Sequence, residues 1–194
     1  MEDLASVSQV KQPISLIEPN PALLASYAEA LARGWSFEAR QETRLEQLAA
    51  MRHDPQSFLR DLLSSNGTMT LPDGRVVPRL PSKLFWITDD DGFCGQIAFR
   101  FQPSTEALPD YVWGHIGYAV VPWKRRRGYA TEALRLILPL AKKQGLKRVL
   151  INCDDDNEAS QKVILANGGV LTGGESHQYR PGRRKLSYWI DLSR

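Results

Sequence analysis

The chain has little cysteine and histidine, and it lacks any long apolar run. Two cysteines, Cys94 and Cys153, among 194 residues are too few for a disulfide framework, and neither stands at a metal-ligand spacing. No apolar run approaches the ~20 residues that a membrane-spanning helix needs. The first residues, Met1-Glu2-Asp3, are acidic and do not follow the basic-then-apolar order of a secretory signal. We therefore expect a cytoplasmic protein with no metal and no membrane partner.

An excess of either charge is also lacking. The 25 Lys and Arg residues against 22 Asp and Glu residues give a net charge of +3, which does not favour nucleic acid as a partner. Apolar residues at 42% and charged residues at 24% are typical of a globular protein. The length suits one domain with a sizeable core and is too short for two ordinary ones.

The most informative stretch is a basic turn between a strand and a helix. Gly114–Val121 is an apolar strand that Pro122 ends, and Arg125-Arg126-Arg127-Gly128-Tyr129-Ala130 follows. The first amides of a helix have no internal partner and carry the positive end of its dipole. Since Gly128 and Ala130 keep side-chain bulk away, the turn predicts a pyrophosphate site with arginines beside it. The helix is indicated by apolar residues on one face: Ala130, Ala133, Leu134, Ile137, Leu138 and Ala141.

A second block follows about one helix later. Lys147–Cys153 has the pattern of a short buried strand, and Asp154–Ser160 follows it. A short helix then ends in Asn167-Gly168-Gly169. Three adjacent carboxylates point in different directions, so we interpret Asp155 with Glu158 as a helix-capping pair rather than a metal site.

The two blocks resemble a known family. R-x-x-G-x-A after a strand is similar to the acyl-CoA-binding motif of the GNAT superfamily of N-acetyltransferases, usually written Q/R-x-x-G-x-G/A. D-N-x-A-S before a helix ending in N-G-G resembles the second cofactor block of that superfamily. The likeness covers roughly residues 114 to 170, and the wider chain resembles a branch of uncharacterised predicted acetyltransferases.

The resemblance implies an α/β (α+β) fold: a mixed, mostly antiparallel twisted sheet with helices on both faces. The sheet would be splayed between the cofactor strand and the next strand. We expect residues 1–194 to form one acetyltransferase domain. Its parts would be a mobile segment 1–12, variable acceptor-side helices in 13–80, and a sheet core with the cofactor site in 81–194. The sequence does not fix the oligomeric state, and a homodimer is the default expectation.

The resemblance also implies an activity and a co-substrate. Acetyl-CoA would donate an acetyl group to a primary amine of a small molecule or a protein, by direct attack in a ternary complex. The alternative is a non-catalytic acyl-CoA-binding regulatory domain on the same fold. The positions implied for cofactor binding are Val120, Val121, Arg125, Arg126, Arg127, Gly128, Tyr129, Ala130, Thr131, Asn157 and Ser160.

Catalytic groups are harder to assign. Many family members place a tyrosine seven residues after the asparagine, where it protonates the leaving thiolate, but here that position is Ile164. His115, on the cofactor strand, is a candidate general base or a half-buried structural histidine. Tyr118 is a candidate acid, on the opposite face of the strand from His115.

The remaining tyrosines, histidines and cysteine give weaker indications of a catalytic role. Tyr179 and Tyr188 are further candidate acids, named only because they are tyrosines in the C-terminal half. His53 and His177 are expected in surface segments, and Cys153 is expected to be core packing.

Overall fold

The computed structural model describes residues 13–37, 41–71, 73–177 and 180–193. Residues 1–12, expected to be mobile, lie outside these ranges. Within them are five α-helices, nine strands and two 3-10 turns, Pro21–Leu23 and Pro122–Lys124. In chain order the helices and strands are β1 Ser15–Ile17, α1 Leu24–Ala32, α2 Gln41–His53, α3 Pro55–Leu63, β2 Thr68–Thr70, β3 Val76–Pro78, β4 Ser82–Asp89, β5 Gly92–Arg100, β6 Ile116–Val120, α4 Tyr129–Lys143, β7 Arg148–Asp154, α5 Glu158–Ala166, β8 Val170–Ser176 and β9 Arg184–Asp191.

Local signals in the sequence place several of these boundaries. Asp54 caps α3 by accepting hydrogen bonds from the amides of Gln56 and Ser57 at 3.0 and 2.9 Å, with Pro55 at the first helical position. The sequence Asp89-Asp90-Asp91-Gly92 predicts a hairpin turn of the aspartate-glycine kind, and Asp89 does pair with Gly92 across a two-residue turn.

Two antiparallel sheets form the centre of the fold. One has the strand order β1-β4-β5-β6, and the other has the order β7-β9-β8. A separate hairpin of β2 and β3 lies outside these sheets. The sequence indicates only its turns, at Asn66-Gly67 and Asp73-Gly74. The mostly antiparallel sheet expected from the sequence is confirmed.

The first sheet is covered by helices on both faces, as expected. Strand alternation sends Trp86 to the side of α1–α3 and its neighbour Ile87 to the side of α4 and α5. Tyr27 of α1 stacks on Trp86 with ring centroids 4.7 Å apart. Leu134 and Ile137 of α4 are fully buried on the other face.

The two sheets meet at a narrow seam. The His115 amide donates to the Leu150 carbonyl at 2.7 Å, just before β6 begins. Gly114 is required there, because a side chain on it would lie 3.0 Å from the Leu150 oxygen. Within the described part of the chain, no ladder joins β6 to β7 beyond this seam, since the two strands belong to separate sheets. The splay predicted between the cofactor strand and the next strand is therefore present.

Substituting one glycine tests the contact between β5 and β6. A Cβ on Gly95 would overlap the Ala119 carbonyl oxygen and lie 2.9 Å from Val120 Cα. We expect Gly95→Ala to lower the free energy of unfolding by about 2–3 kcal/mol, because backbone rather than a flexible side chain must move. Urea denaturation measures the change. Gly173→Ala is the control, since a Cβ there meets nothing within 4 Å; equal losses in both variants would contradict the prediction.

Candidate active site

The turn before α4 has the backbone geometry of an anion site. Gly128, the N-cap, has φ +77°, a left-handed conformation that favours glycine. The first intrahelical hydrogen bond runs from the Glu132 amide to the Gly128 carbonyl at 3.0 Å. The four amides from Gly128 to Thr131 therefore have no partner within the helix and carry the positive end of its dipole.

One basic residue of this turn serves the fold. Lys124 is buried, and its Nζ lies 2.7 Å from Asp89 Oδ2 and 2.7 Å from Asp91 Oδ2. The Tyr129 hydroxyl donates to the same Asp89 oxygen at 2.7 Å. The Lys124 side chain is therefore occupied by these two carboxylates, and its contacts tie the turn to the β4–β5 hairpin. Tyr129 keeps only its backbone for a ligand.

The protonation states of Asp89 and Lys124 follow from their contacts. Burial opposes ionisation of Asp89, but hydrogen bonds from Lys124 and Tyr129 outweigh it and hold the pKa of the carboxyl below its ordinary value. Burial also opposes the charge on Lys124, yet hydrogen bonds to Asp89 and Asp91 raise its pKa. Both groups are therefore charged at neutral pH, and the turn is held by an ion pair.

The three arginines of the turn are exposed. Arg125 Nε donates to the Val120 carbonyl at 3.1 Å, which closes the turn onto the end of β6. Arg126 has φ +64°, a strained conformation for a residue with a side chain. Trp123, between the strand and the arginines, lies under the Arg33 guanidinium at 3.5 Å from its ring centroid. The turn is anchored on α1 as well as on the hairpin.

The backbone of β6 offers its open edge to the splay. The Val121 amide donates to the Cys94 carbonyl at 2.9 Å, so it is already used on the β5 side. Backbone groups alternate along an antiparallel strand, so Tyr118 and Val120 direct theirs to the opposite edge, toward β7. Of the two predicted backbone sites, Val120 lies at the splay and Val121 does not.

The start of α5, which follows β7 in the chain, borders the splay. Asn157 caps this helix, its Oδ1 accepting from the Ser160 amide at 3.0 Å. The predicted capping pair of Asp155 and Glu158 is wrong, because Asp155 instead faces Arg183 at 3.1 Å. Among the described residues, no cluster of His, Cys, Asp or Glu could hold a metal ion.

Tyr118 and Ser160 meet across the splay. The Tyr118 hydroxyl lies 2.8 Å from Ser160 Oγ and 3.3 Å from the Ser160 carbonyl oxygen. Burial raises the pKa of the Tyr118 phenol, so it stays protonated at neutral pH. Ile164 is fully buried in the core. A phenol therefore reaches α5 from β6, although position 164 of the helix is not a tyrosine.

His115 lies in the seam rather than in the open part of the splay. It is fully buried, and its Nδ1 accepts a hydrogen bond from the Leu150 amide at 2.9 Å. Burial lowers its pKa to about 4, so the ring is neutral. Its Nε2 is buried without a hydrogen-bond partner among the described residues. The side chain and backbone of His115 together join β7 to β6, and its role as a base stays a prediction.

His177 makes more contacts than the expected surface position implies. The His177 side chain is only 10% exposed, with Nε2 3.4 Å from Asp154 Oδ1, and its ring stacks on Trp113. Asp154 also receives Lys185 and Arg180, each at 2.6 Å. These basic side chains therefore hold the end of β7 in place. Tyr179 lies outside the described residues.

A pocket opens on the opposite face of β7 from α4 and α5. Its volume is about 400 Å³. The lining residues are Asp110, Val112, Trp113, Leu150, Asn152, Glu175, Ser176 and Ser187. Because Leu150 also forms the seam, the pocket lies beside the start of the splay. No sequence pattern predicts this pocket, since its walls come from four separate segments of the chain.

The buried neutral His115 predicts a loss of stability in acid. Its folded pKa of about 4 lies below the ordinary ~6.5, so the unfolded chain binds the proton first and stability falls as pH drops between these values. The loss at pH 5 is on the order of 2 kcal/mol relative to pH 7. We expect His115→Asn to be less stable at pH 7 but less sensitive to pH over this range. Urea denaturation at both pH values measures this, and identical pH dependence in the two proteins would contradict it.

No helix in the described ranges is long and apolar enough to cross a membrane.

Known proteins that resemble this chain are acetyltransferases. The ribosomal-protein-serine acetyltransferase of Escherichia coli (strain K12) is 33% identical over 94 residues, which are 47% of this chain and 49% of that protein. The alignment thus spans about half the length of this relative.

Solved structures share the fold over nearly the whole chain. The microcin C7 self-immunity acetyltransferase MccE, in complex with acetyl-CoA and AMP, superposes with a TM-score of 0.62 at 15% identity over 92% of each chain. RimL, the ribosomal L7/L12 alpha-N-protein acetyltransferase, in complex with coenzyme A, gives 0.61 at 16% identity over 93% of this chain and 94% of its own. At these identities the likeness concerns the fold.

The family itself is shown by a family model. The model described as the acetyltransferase (GNAT) domain matches residues 39–170. This range is more than half of the 194 residues. It contains the basic turn before α4, the splay and the start of α5. The chain therefore belongs to the GNAT acetyltransferase family.

Proposed function

We propose that this protein is an N-acetyltransferase that uses acetyl-CoA and acetylates a primary amine by direct attack. The observation that carries the proposal is the Tyr118 hydroxyl, 2.8 Å from Ser160 Oγ across the splay. It supplies a protonated hydroxyl group where the family fold separates its two central strands. A non-catalytic acyl-CoA-binding domain, suggested by Ile164, would have no need of one.

The residues of the turn fit the phosphates of coenzyme A. The first amides of α4, which make no hydrogen bond within the helix, would receive the pyrophosphate, and Arg126 and Arg127 would add charge beside it. The open edge of Val120 would pair with the pantetheine arm, and Asn157 would meet the same arm from α5. When bound, acetyl-CoA supplies the acetyl group as a thioester, whose C–S bond breaks as the C–N bond forms.

The proton steps can be assigned to residues of the chain. The amine must be neutral to attack, so its ammonium proton passes to water. A second N–H proton leaves as the amide forms, and one proton reaches the sulfur, which balances the transfer. Because the pKa of Tyr118 is raised above that of an ordinary thiol near 8.5, complete transfer from its phenol is unfavourable. Tyr118 therefore stabilises the thiolate by donating a hydrogen bond, with Ser160 orienting the phenol.

Gly128→Glu tests the phosphate turn. The substitution places a side chain and a negative charge at the free amides, so we expect acetyl-CoA binding to become undetectable by calorimetric titration. The control is Gly145→Glu, beyond the opposite end of α4, where φ is +89° and a Cβ meets nothing within 4 Å. Both variants carry a similar backbone strain. Normal binding by Gly128→Glu would show that the phosphates do not lie on this turn.

Tyr118→Phe tests the role of the phenol. Losing a hydrogen bond to a charged group should lower kcat by about 10- to 100-fold, while the Kd for acetyl-CoA stays within about twofold. Thiol release in the presence of a panel of amines measures the rate. Tyr111→Phe is the control, because its hydroxyl donates to the Pro78 carbonyl outside the splay. Unchanged turnover in Tyr118→Phe would remove the phenol from the mechanism.

A further inference from the structure

The pocket beside the seam is placed to receive the acceptor. Along β7, Val149 and Ile151 are buried in the core under α4 and α5. Leu150 and Asn152 alternate to the opposite face and line the pocket. Since β7 is one wall of the splay, a molecule in this pocket reaches the splay from the face that α4 and α5 leave open.

Both ionisable residues that line the pocket, within the described ranges, are acids. Asp110 lies on the loop before β6, and Glu175 lies on β8. The floor between them is polar: Asn152 Nδ2 donates to Ser187 Oγ at 2.7 Å. Asn152 Oδ1 is buried and has no hydrogen-bond partner among the described residues. The wall is the indole of Trp113. A pocket of this composition favours a ligand that carries positive charge and donates hydrogen bonds.

The cations close to the pocket are engaged by other groups. Lys185 pairs in register with Glu175 across β8 and β9, yet its Nζ contacts Asp154 at 2.6 Å. Arg75 contacts Asp110 at 3.2 Å, but it also holds Asp73 at 2.8 Å. No ion pair joins Glu175 to a basic side chain in the part of the chain that the structure describes. Glu175 is therefore the stronger of the two carboxylates for a ligand.

We propose that this pocket selects cationic acceptors, with Glu175 and Asp110 holding a positive charge next to the amine that is acetylated. The inference rests on the proposed N-acetyltransferase activity and names its acceptor class. Both carboxylates are exposed, Asp110 with 74% of its side chain, so each contributes a modest attraction that salt screens. An acidic acceptor meets two like charges and is disfavoured.

Three matched dipeptide amides test the selection: alanyl-arginine amide, alanyl-glutamine amide and alanyl-glutamate amide. Each has the α-amine as its only primary amine, and they differ in the charge of the second side chain. We expect kcat/KM to fall in the order Arg, Gln, Glu, by about 2- to 5-fold per step at low salt. The order should flatten at 0.5 M salt, where screening shortens the range of the interaction. Mass spectrometry of the acetylated peptides and thiol release measure the rates.

Two double variants with the same change in net charge locate the effect. Asp110→Asn/Glu175→Gln removes the pocket carboxylates, and we expect the three kcat/KM values to converge while the Kd for acetyl-CoA stays unchanged. Glu46→Gln/Asp61→Asn removes two exposed carboxylates from α2 and α3, and it should keep the wild-type order.

The outcomes separate this inference from the proposed function. An unchanged order in the pocket variant, a preference for the glutamate peptide, or acetylation of other amines but none of these three would overturn the acceptor assignment and leave the enzyme intact. Failure to bind acetyl-CoA, or binding with no acetylation of any amine, would overturn the proposed activity, and the acceptor assignment with it.

Discussion

The structure depends on one narrow contact between two sheets. At the seam, the amide of His115 bonds to the carbonyl of Leu150, and the amide of Leu150 bonds back to the His115 ring. The imidazole stands in for a backbone carbonyl, so β7 is held without continuing the ladder. A full ladder would close the space between β6 and β7, whereas without this contact the two sheets would be joined only through the core that they share with α4 and α5. Burying a neutral histidine and a glycine at this point keeps the sheets together and the splay open.

The basic turn shows how adjacent residues of one type divide their work. Lys124 is turned inward and neutralised by Asp89 and Asp91, while the three arginines after it remain at the surface. Without these two carboxylates, Lys124 would not connect the turn to the β4–β5 hairpin. Because Asp89 also accepts from Tyr129, the first turn of α4 is fixed to the same anchor. The orientation of the first amides of α4 is thus set by the contacts of Lys124 and Tyr129 with the β4–β5 hairpin.

Local features could be read from the sequence, and contacts between distant residues could not. The Asp54-Pro55 cap, the Asp89–Gly92 hairpin and both cofactor blocks depend on neighbouring residues, and the structure has the expected elements there. Lys124 finds its partner 35 positions away, and Tyr118 finds Ser160 at a separation of 42. His177 was placed at the surface because no local pattern indicates Trp113 or Asp154. The capping error at Asp155 has the same cause, since Arg183 lies just before β9, 28 positions further along the chain.

The proposed mechanism requires a hydroxyl in the splay that donates to the thiolate. It does not require that this hydroxyl stand at position 164 of α5, where the chain has isoleucine. A donor on β6 lies on the strand whose open backbone edge also faces the splay, so its position relative to that edge is fixed by strand geometry. A donor on α5 depends in addition on how the helix packs. Ser160 compensates for this difference: it holds the phenol from the α5 side at 2.8 Å, so strand and helix are coupled through the group itself. In the proposed mechanism position 164 carries no chemistry, and Ile164 fills the core between α5 and the sheet, where it is fully buried.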